Sequence, residues 1–174
     1  AAASKAGLVA LEQGGSSVDA AMTAALTQIA MNAGSVISYF GVMTMVHYDA
    51  ATDEMISMDA TWNSVQGETE PMTIPGAVDF SDLFAPQEPS GRTALVGGFM
   101  RGLEEAHERY GKLPFEQLFQ PAIHIAEHGI ELSEPTANFF KRRDDVLRRL
   151  PETKATLVKE NGDMYVVGDL FKQP

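Results

Sequence analysis

The sequence predicts an α+β protein built around an antiparallel hairpin. The chain opens with two helical stretches rich in small side chains, and two short strand patterns around a polar turn follow. Helix, helix, hairpin is the order of a mixed protein with an antiparallel sheet. Helical patterns then return from Gly97 onward, after a long irregular stretch.

Residues 3 to 13 read as the first helix, with Ala6, Val9 and Ala10 on its inner face and Gly14-Gly15 ending it. Ser17 is placed to cap a second helix that carries Asp19 and the alanines at 20, 21, 24, 25 and 30. Those small side chains let another layer approach closely. Val42 to Tyr48 and Glu54 to Asp59 read as strands, joined by the turn Asp49-Ala50-Ala51-Thr52-Asp53. Residues 65 to 92 hold Pro71, Pro75, Pro86 and Pro89 with several glycines, a stretch too long for an ordinary connection. Gly97 to Tyr110 is the next helix, with Leu103, Ala106 and Tyr110 inward and Gly111 as its stop. Another begins near Leu113, with Pro121 in a first turn, and runs to Gly129. Ser133 is placed to cap a further helix near Pro135. Its continuation, with arginines at 142, 143, 148 and 149 among Asp144 and Asp145, reads as a solvated face.

At 174 residues and 18.8 kDa the chain fits one domain with a real core. Lys plus Arg is 13 against 24 Asp plus Glu, a net charge of −11. So acidic a surface repels phosphate, and neither nucleic acid nor a membrane is expected as a partner. The absence of cysteine removes disulfides, thiolate metal sites and a Cys nucleophile. It leaves the compartment open, with the cytoplasm slightly favoured over a secreted or periplasmic location. The opening Ala1 to Gly7 and the closing Gly168 to Pro174 read as interior motifs, as expected for one piece of a larger or processed protein.

Five features invite a chemical reading. His124-Ile125-Ala126-Glu127-His128 places two imidazoles at i and i+4 on one helix face beside a carboxylate, the pattern of an inverted zinc peptidase. A working zinc site needs a third ligand, and Glu131 and Glu134 lie too close along the chain to supply one obviously. The plainer reading is an amphipathic helix with two surface histidines. His47 reads as a satisfied strand histidine, and Ser16-Ser17 as a helix cap rather than a nucleophile. Gly97-Gly98 before a helix resembles an anion cradle without the Lys or Ser it needs. Asp59-Ala60-Thr61-Trp62-Asn63-Ser64 is the richest segment: it holds the only tryptophan and lies where a strand feeds the long loop. It reads equally as a binding edge or as a turn with a Trp plug in the core.

The order of these pieces resembles a known family. Ala6-Gly7 through Leu11-Glu12-Gln13-Gly14-Gly15-Ser16-Ser17-Val18-Asp19-Ala20-Ala21 is similar to the opening of the gamma-glutamyltranspeptidases. Val46-His47-Tyr48-Asp49 followed by Met58-Asp59 resembles that family's hairpin. Gly102-Leu103 and Glu105 to Phe115 resemble its next stretch, Pro121-Ala122-Ile123 with Ala126-Glu127 and Gly129 the one after, and Gly168 to Pro174 a further motif. The resemblance covers nearly the whole chain outside residues 65 to 92.

The resemblance implies a four-layer αββα sandwich of the N-terminal nucleophile hydrolase type, of which this chain is part of the large subunit. It implies a precursor that cleaves itself, with the new N-terminal Thr of a separate small subunit as nucleophile and its own amine as base. The expected partners are that small subunit, a small-molecule substrate and further copies of the heterodimer. No cofactor and no metal are expected, and none of the reacting groups lies in this chain.

Three departures stand out against the family pattern. Where the resemblance implies an Arg that grips the glutamyl α-carboxylate, two residues after the strand-ending Asp59, this chain has Thr61. A fixed positive fork is therefore missing. The glycine-rich lead-in to the hairpin carries Tyr39 and Phe40, and the family's Val-Pro-Gly has become Val96-Gly97-Gly98. The expected substrate-binding residues are Tyr39, Phe40, Thr61, Trp62 and Asn63, facing an acyl group with an apolar or aromatic part. Some relatives in specialised metabolism are thought to cleave a C–C bond in alkylidene pyrroline precursors, and that reading stays open beside the acylase one.

Overall fold

The computed structural model describes residues 2–35, 37–74 and 91–173. In chain order these form α1 (Ala2–Glu12), α2 (Ser17–Met31), β1 (Met43–Asp49), β2 (Glu54–Ala60), α3 (Phe99–Tyr110), α4 (Gln120–His128), β3 (Ile130–Glu131), α5 (Glu134–Arg142), α6 (Asp144–Leu147), α7 (Pro151–Leu157) and β4 (Leu170–Phe171). Short 3-10 turns occupy Pro71–Thr73, Gly91–Thr93 and Phe115–Phe119. Two compact units divide the chain: Ala1–Ser38 with Glu105–Pro174, and Tyr39–Glu104.

In the first unit α1 packs against α2 through Ala3, Gly7 and Ala10, all buried. The expected inner residue Val9 is exposed instead. Backbone approach decides this: a Cβ on Gly7 would stand 2.7 Å from the Ala20 carbonyl oxygen and 3.3 Å from the Ala24 Cβ. The small side chains thus bring two helix backbones together, as expected for α2. The cap of α2 is Ser16, one residue before the expected Ser17. The Asp19 N–H donates to Ser16 Oγ at 3.1 Å, and the Ser16 N–H donates to Asp19 Oδ2 at 2.8 Å. Only Ser16 stands three residues before Asp19, and this reciprocal box satisfies two backbone donors.

The remainder of this unit gathers on Ala33, Leu132, Phe140 and Phe171, with Phe139, Leu147, Leu157, Met164 and Tyr165 packed around them. Phe171 meets Phe140 and Tyr165 edge to face at ring separations of 5.6 and 5.0 Å. The strand pair β3–β4 holds Phe171 there, with Ile130 opposite Phe171 and Glu131 opposite Leu170. Ser133 stands at the start of α5, but its hydroxyl meets Thr136 Oγ1 at 3.1 Å and no backbone donor. The expected solvated face over 142–149 is broken at Arg143, where α5 ends and α6 begins, and Arg148 closes back on Asp144.

The second unit is centred on the predicted hairpin. β1 and β2 pair antiparallel from Met43 opposite Ala60 to Asp49 opposite Glu54. The turn is held by Ala51 N–H donating to Asp49 Oδ1 and by the Tyr48 hydroxyl on Asp53 Oδ1, both at 2.9 Å. Side-chain alternation puts Met43, Met45 and His47 with Ala60, Met58 and Ile56 on the buried or half-buried face. The opposite face is exposed, with Val46 at 71% and Met55 at 73% beside Tyr48. Residues 75–90, the middle of the expected irregular stretch, lie outside the described residues.

Candidate functional site

Three segments of the second unit meet at Gly97-Gly98. The Asn63 N–H donates to the Val96 carbonyl at 2.9 Å, and the Val96 N–H returns to the Asn63 carbonyl at 2.8 Å. One step later the Phe99 N–H donates to the Gly41 carbonyl at 3.1 Å. Between these bonds the two glycines run against backbone. A Cβ on Gly97 would overlap the Phe40 carbonyl, and one on Gly98 would collide with the Ala60 and Thr61 carbonyls. Neither glycine has a positive φ, so space rather than backbone conformation demands them. The Phe40 backbone fills the space a side chain at 97 would need.

This junction gathers Phe40, Thr61 and Asn63. Thr61 sits just past β2, exposed, its N–H bound to Asp59 Oδ1 at 3.1 Å. Asn63 uses its side-chain oxygen on the Ser64 N–H at 3.1 Å. Trp62 is 56% exposed and lies outside the core that this chain forms. Phe40 is 80% exposed. Tyr39 is half-buried, and burial pushes its hydroxyl above the usual phenol range. The result is a polar strand end bordered by two accessible aromatic surfaces.

The charges around it are already committed. Residues 39–104 contain two arginines, Arg92 and Arg101, and no lysine. Arg101 pairs with Glu104 at 2.5 Å. Arg92 makes a fork on Glu68, Nε to Oε2 at 2.8 Å and Nη2 to Oε1 at 2.9 Å, and also bonds the Glu70 carbonyl and Thr73 Oγ1. The bonds from Arg92 hold the Glu68 carboxyl down at about 2. This clamp joins the two described ends of the long loop.

A second polar centre, in the first unit, lies wholly inside it. The Asp19 side chain is 0% exposed. Its Oδ2 accepts from the N–H groups of Ser16 and Lys112 at 2.8 Å and Leu113 at 3.2 Å. Burial alone would raise its pKa, but these bonds together outweigh burial and hold it below the ordinary carboxylate value. Its Oδ1 has no hydrogen-bond partner and lies 3.7 Å from His107 Nε2. That nitrogen is 2.8 Å from the Leu113 carbonyl, which only accepts, so Nε2 carries the proton.

A family model described as gamma-glutamyltranspeptidase matches residues 3–174. This chain belongs to the gamma-glutamyltranspeptidase family. Scoloptoxin SSD14 of Scolopendra dehaani is 31% identical over 169 residues, covering 97% of this chain and 27% of that protein. Glutathione hydrolase 5 proenzyme of Rattus norvegicus is 32% identical over 134 residues, covering 77% of this chain and 22% of the relative. The gamma-glutamyltranspeptidase of Helicobacter pylori superposes with a TM-score of 0.81 at 26% identity, over 99% of this chain and 48% of that one. The chain thus spans about a quarter of the curated relatives' length and about half of the solved structure.

The fold agrees with the expected α+β class and with part of the gamma-glutamyltranspeptidase architecture. Sequence reasoning singled out the strand end but missed both polar anchors. Asp19 looked like ordinary helix material, and its signal was the Ser-x-x-Asp spacing at the head of an otherwise apolar helix. Arg92 carried no motif at all. His124 and His128 do share a face of α4, but among the described residues no group of three or more His, Asp or Glu is arranged to hold a metal. The third ligand of a zinc peptidase is therefore not found among them.

Proposed function

We propose that this chain forms part of the large-subunit portion of a divergent gamma-glutamyltranspeptidase-type hydrolase whose preferred acyl group is not glutamyl. The observation that carries this reading is Thr61. It stands where the family pattern has the carboxylate-gripping Arg, and both arginines of residues 39–104 are engaged with carboxylates elsewhere. A hydroxyl offers one donor and no charge, whereas a guanidinium offers a charged fork. Trp62 and Phe40 supply accessible apolar surface beside it, which favours an acyl group with an aromatic or aliphatic part.

In this reading the chain walls the pocket and the small subunit reacts. The hydroxyl of its N-terminal Thr attacks the substrate carbonyl carbon while the Thr α-amine takes the proton. The amine then delivers that proton to the leaving nitrogen as the C–N bond breaks. Water attacks the acyl-enzyme, releases the acid and returns the Thr hydroxyl. The chain by itself is inactive.

The test assays the full-length protein, wild type and Thr61→Arg, on gamma-glutamyl anilides, on acylated β-lactams and on alkylidene pyrroline acids. Weak wild-type turnover of the glutamyl anilide, raised at least about tenfold by Thr61→Arg, supports the reading; one bidentate Arg–carboxylate contact justifies that factor. Efficient glutamyl cleavage by the wild type, unchanged in the variant, would sink it. Preferential turnover of the pyrroline acid would assign C–C cleavage instead.

A further inference from the structure

We infer that His124 and His128 form a surface chelate for a single imidazole-preferring divalent transition ion, of the kind represented by Cu2+, Ni2+ and Zn2+. The site uses two protein ligands, with water completing the shell.

The geometry is specific. The two residues are one helical turn apart at the end of α4, and both are exposed. Their rings lie face to face, with centroids 4.2 Å apart and planes at 26°. Two nitrogens bound to one ion at about 2.0–2.1 Å each must come within roughly 3 Å of one another, and rings already stacked at this separation need only a small rotation to do so.

The protonation pattern supplies a second, independent argument. His128 Nδ1 lies 3.0 Å from the His124 carbonyl oxygen. A carbonyl accepts and never donates, so Nδ1 bears the hydrogen and Nε2 carries the lone pair. Metal-bound histidines are arranged in this way: one ring N–H donates to a backbone carbonyl, which fixes the tautomer and strengthens the other nitrogen as a ligand. The ring nitrogens of His124 make no hydrogen bond among the described residues. One ring is therefore oriented for ligation and the other is at liberty to join it.

Chemistry narrows the cation. Imidazole suits Cu2+, Ni2+ and Zn2+, while Mg2+ and Ca2+ prefer oxygen. For a given nitrogen site affinity rises from Ni2+ to Cu2+ and falls again at Zn2+. With only two protein ligands, the site keeps open positions that water or a donor from another molecule fills.

The experiment titrates the full-length protein with NiCl2 and CuCl2 by calorimetry, with MgCl2 as control, in wild type, His124→Ala and His128→Ala. One ion per chain is expected, Cu2+ tighter than Ni2+, with Mg2+ silent. Each single substitution should weaken Ni2+ binding by at least about 10–100-fold, since losing a ligand costs no less than losing the group that orients one. The Cu2+-loaded wild type should show two coupled nitrogens by electron paramagnetic resonance, and each variant fewer. Both positions are exposed, and matching thermal melts would establish that the variants fold. Binding that survives either substitution unchanged, or no Ni2+ binding to the folded wild type, overturns the site.

Discussion

Asp19 shows how much one residue can organise. Its carboxylate reaches two segments that lie 93 and 94 residues further along the chain, at Lys112 and Leu113, while also closing the cap of α2. Asp19→Ala leaves three part-buried N–H groups without their acceptor and is expected to cost about 1–3 kcal/mol, read as a shift in the urea midpoint. The pH dependence has a definite sign. The folded pKa is depressed, while the unfolded carboxyl titrates near about 3.9. Its stabilisation is therefore complete above that unfolded value and is lost as pH falls through the lower folded one. Urea midpoints measured from neutrality down to about pH 3 should decline more shallowly in Asp19→Asn than in wild type. An identical acid limb in both would remove this role from Asp19.

At the scale of elements, the meeting of the 39–41 turn, the end of β2 and the start of α3 depends on what is missing from Gly97 and Gly98. Gly97→Ala is expected to destabilise by about 1–3 kcal/mol, because the new methyl has backbone rather than a movable side chain in its way. The diagnostic readout is local. Amides of Val96 and Phe99 should lose hydrogen-exchange protection in Gly97→Ala, while α1 and α2 keep theirs. Helices and hairpin were legible in the sequence because their signals are short-ranged: alternation over 43–49, small residues over 17–31, glycine at the ends of α1 and α4. The junction itself was not, since nothing in a Gly-Gly pair says whether it marks a flexible start to a helix or a backbone crossing. The same holds for the Asp19 network and for Arg92 with Glu68, whose partners are distant in sequence. Thr61 was readable as a departure from a family pattern. The exposure of Trp62 was not, because tryptophan is as much at home in a core as on a rim.

For the whole molecule, two surface properties oppose one another. The chain carries a net charge of −11, which keeps copies apart. It also presents Val46, Tyr48 and Met55 together on the outer face of a two-stranded sheet, with Phe40 and Trp62 exposed in the same unit. Exposed apolar sheet surface favours association. The charge term is screened by salt, with the Debye length shrinking from ~30 Å at 0.01 M to ~3 Å at 1 M, whereas the apolar term is not. The isolated chain should therefore sediment as a monomer at low ionic strength and associate as salt is added. Val46→Lys with Met55→Glu should abolish that response. Association that weakens with salt would point to charge pairing instead.

The Arg92 fork has one more effect, on how freely this protein can vary. By tying Glu68, Glu70 and Thr73 to the chain just after residue 90, it fixes both ends of the intervening segment whatever lies between them. Closing a loop costs free energy that grows only with the logarithm of its length, about 0.6 kcal/mol per doubling. With both flanks held, a change of length between residues 75 and 90 is expected to alter the closure cost only slightly. The clamp makes that stretch a place where a change of length is cheap to close, so long as Arg92 and Glu68 are retained.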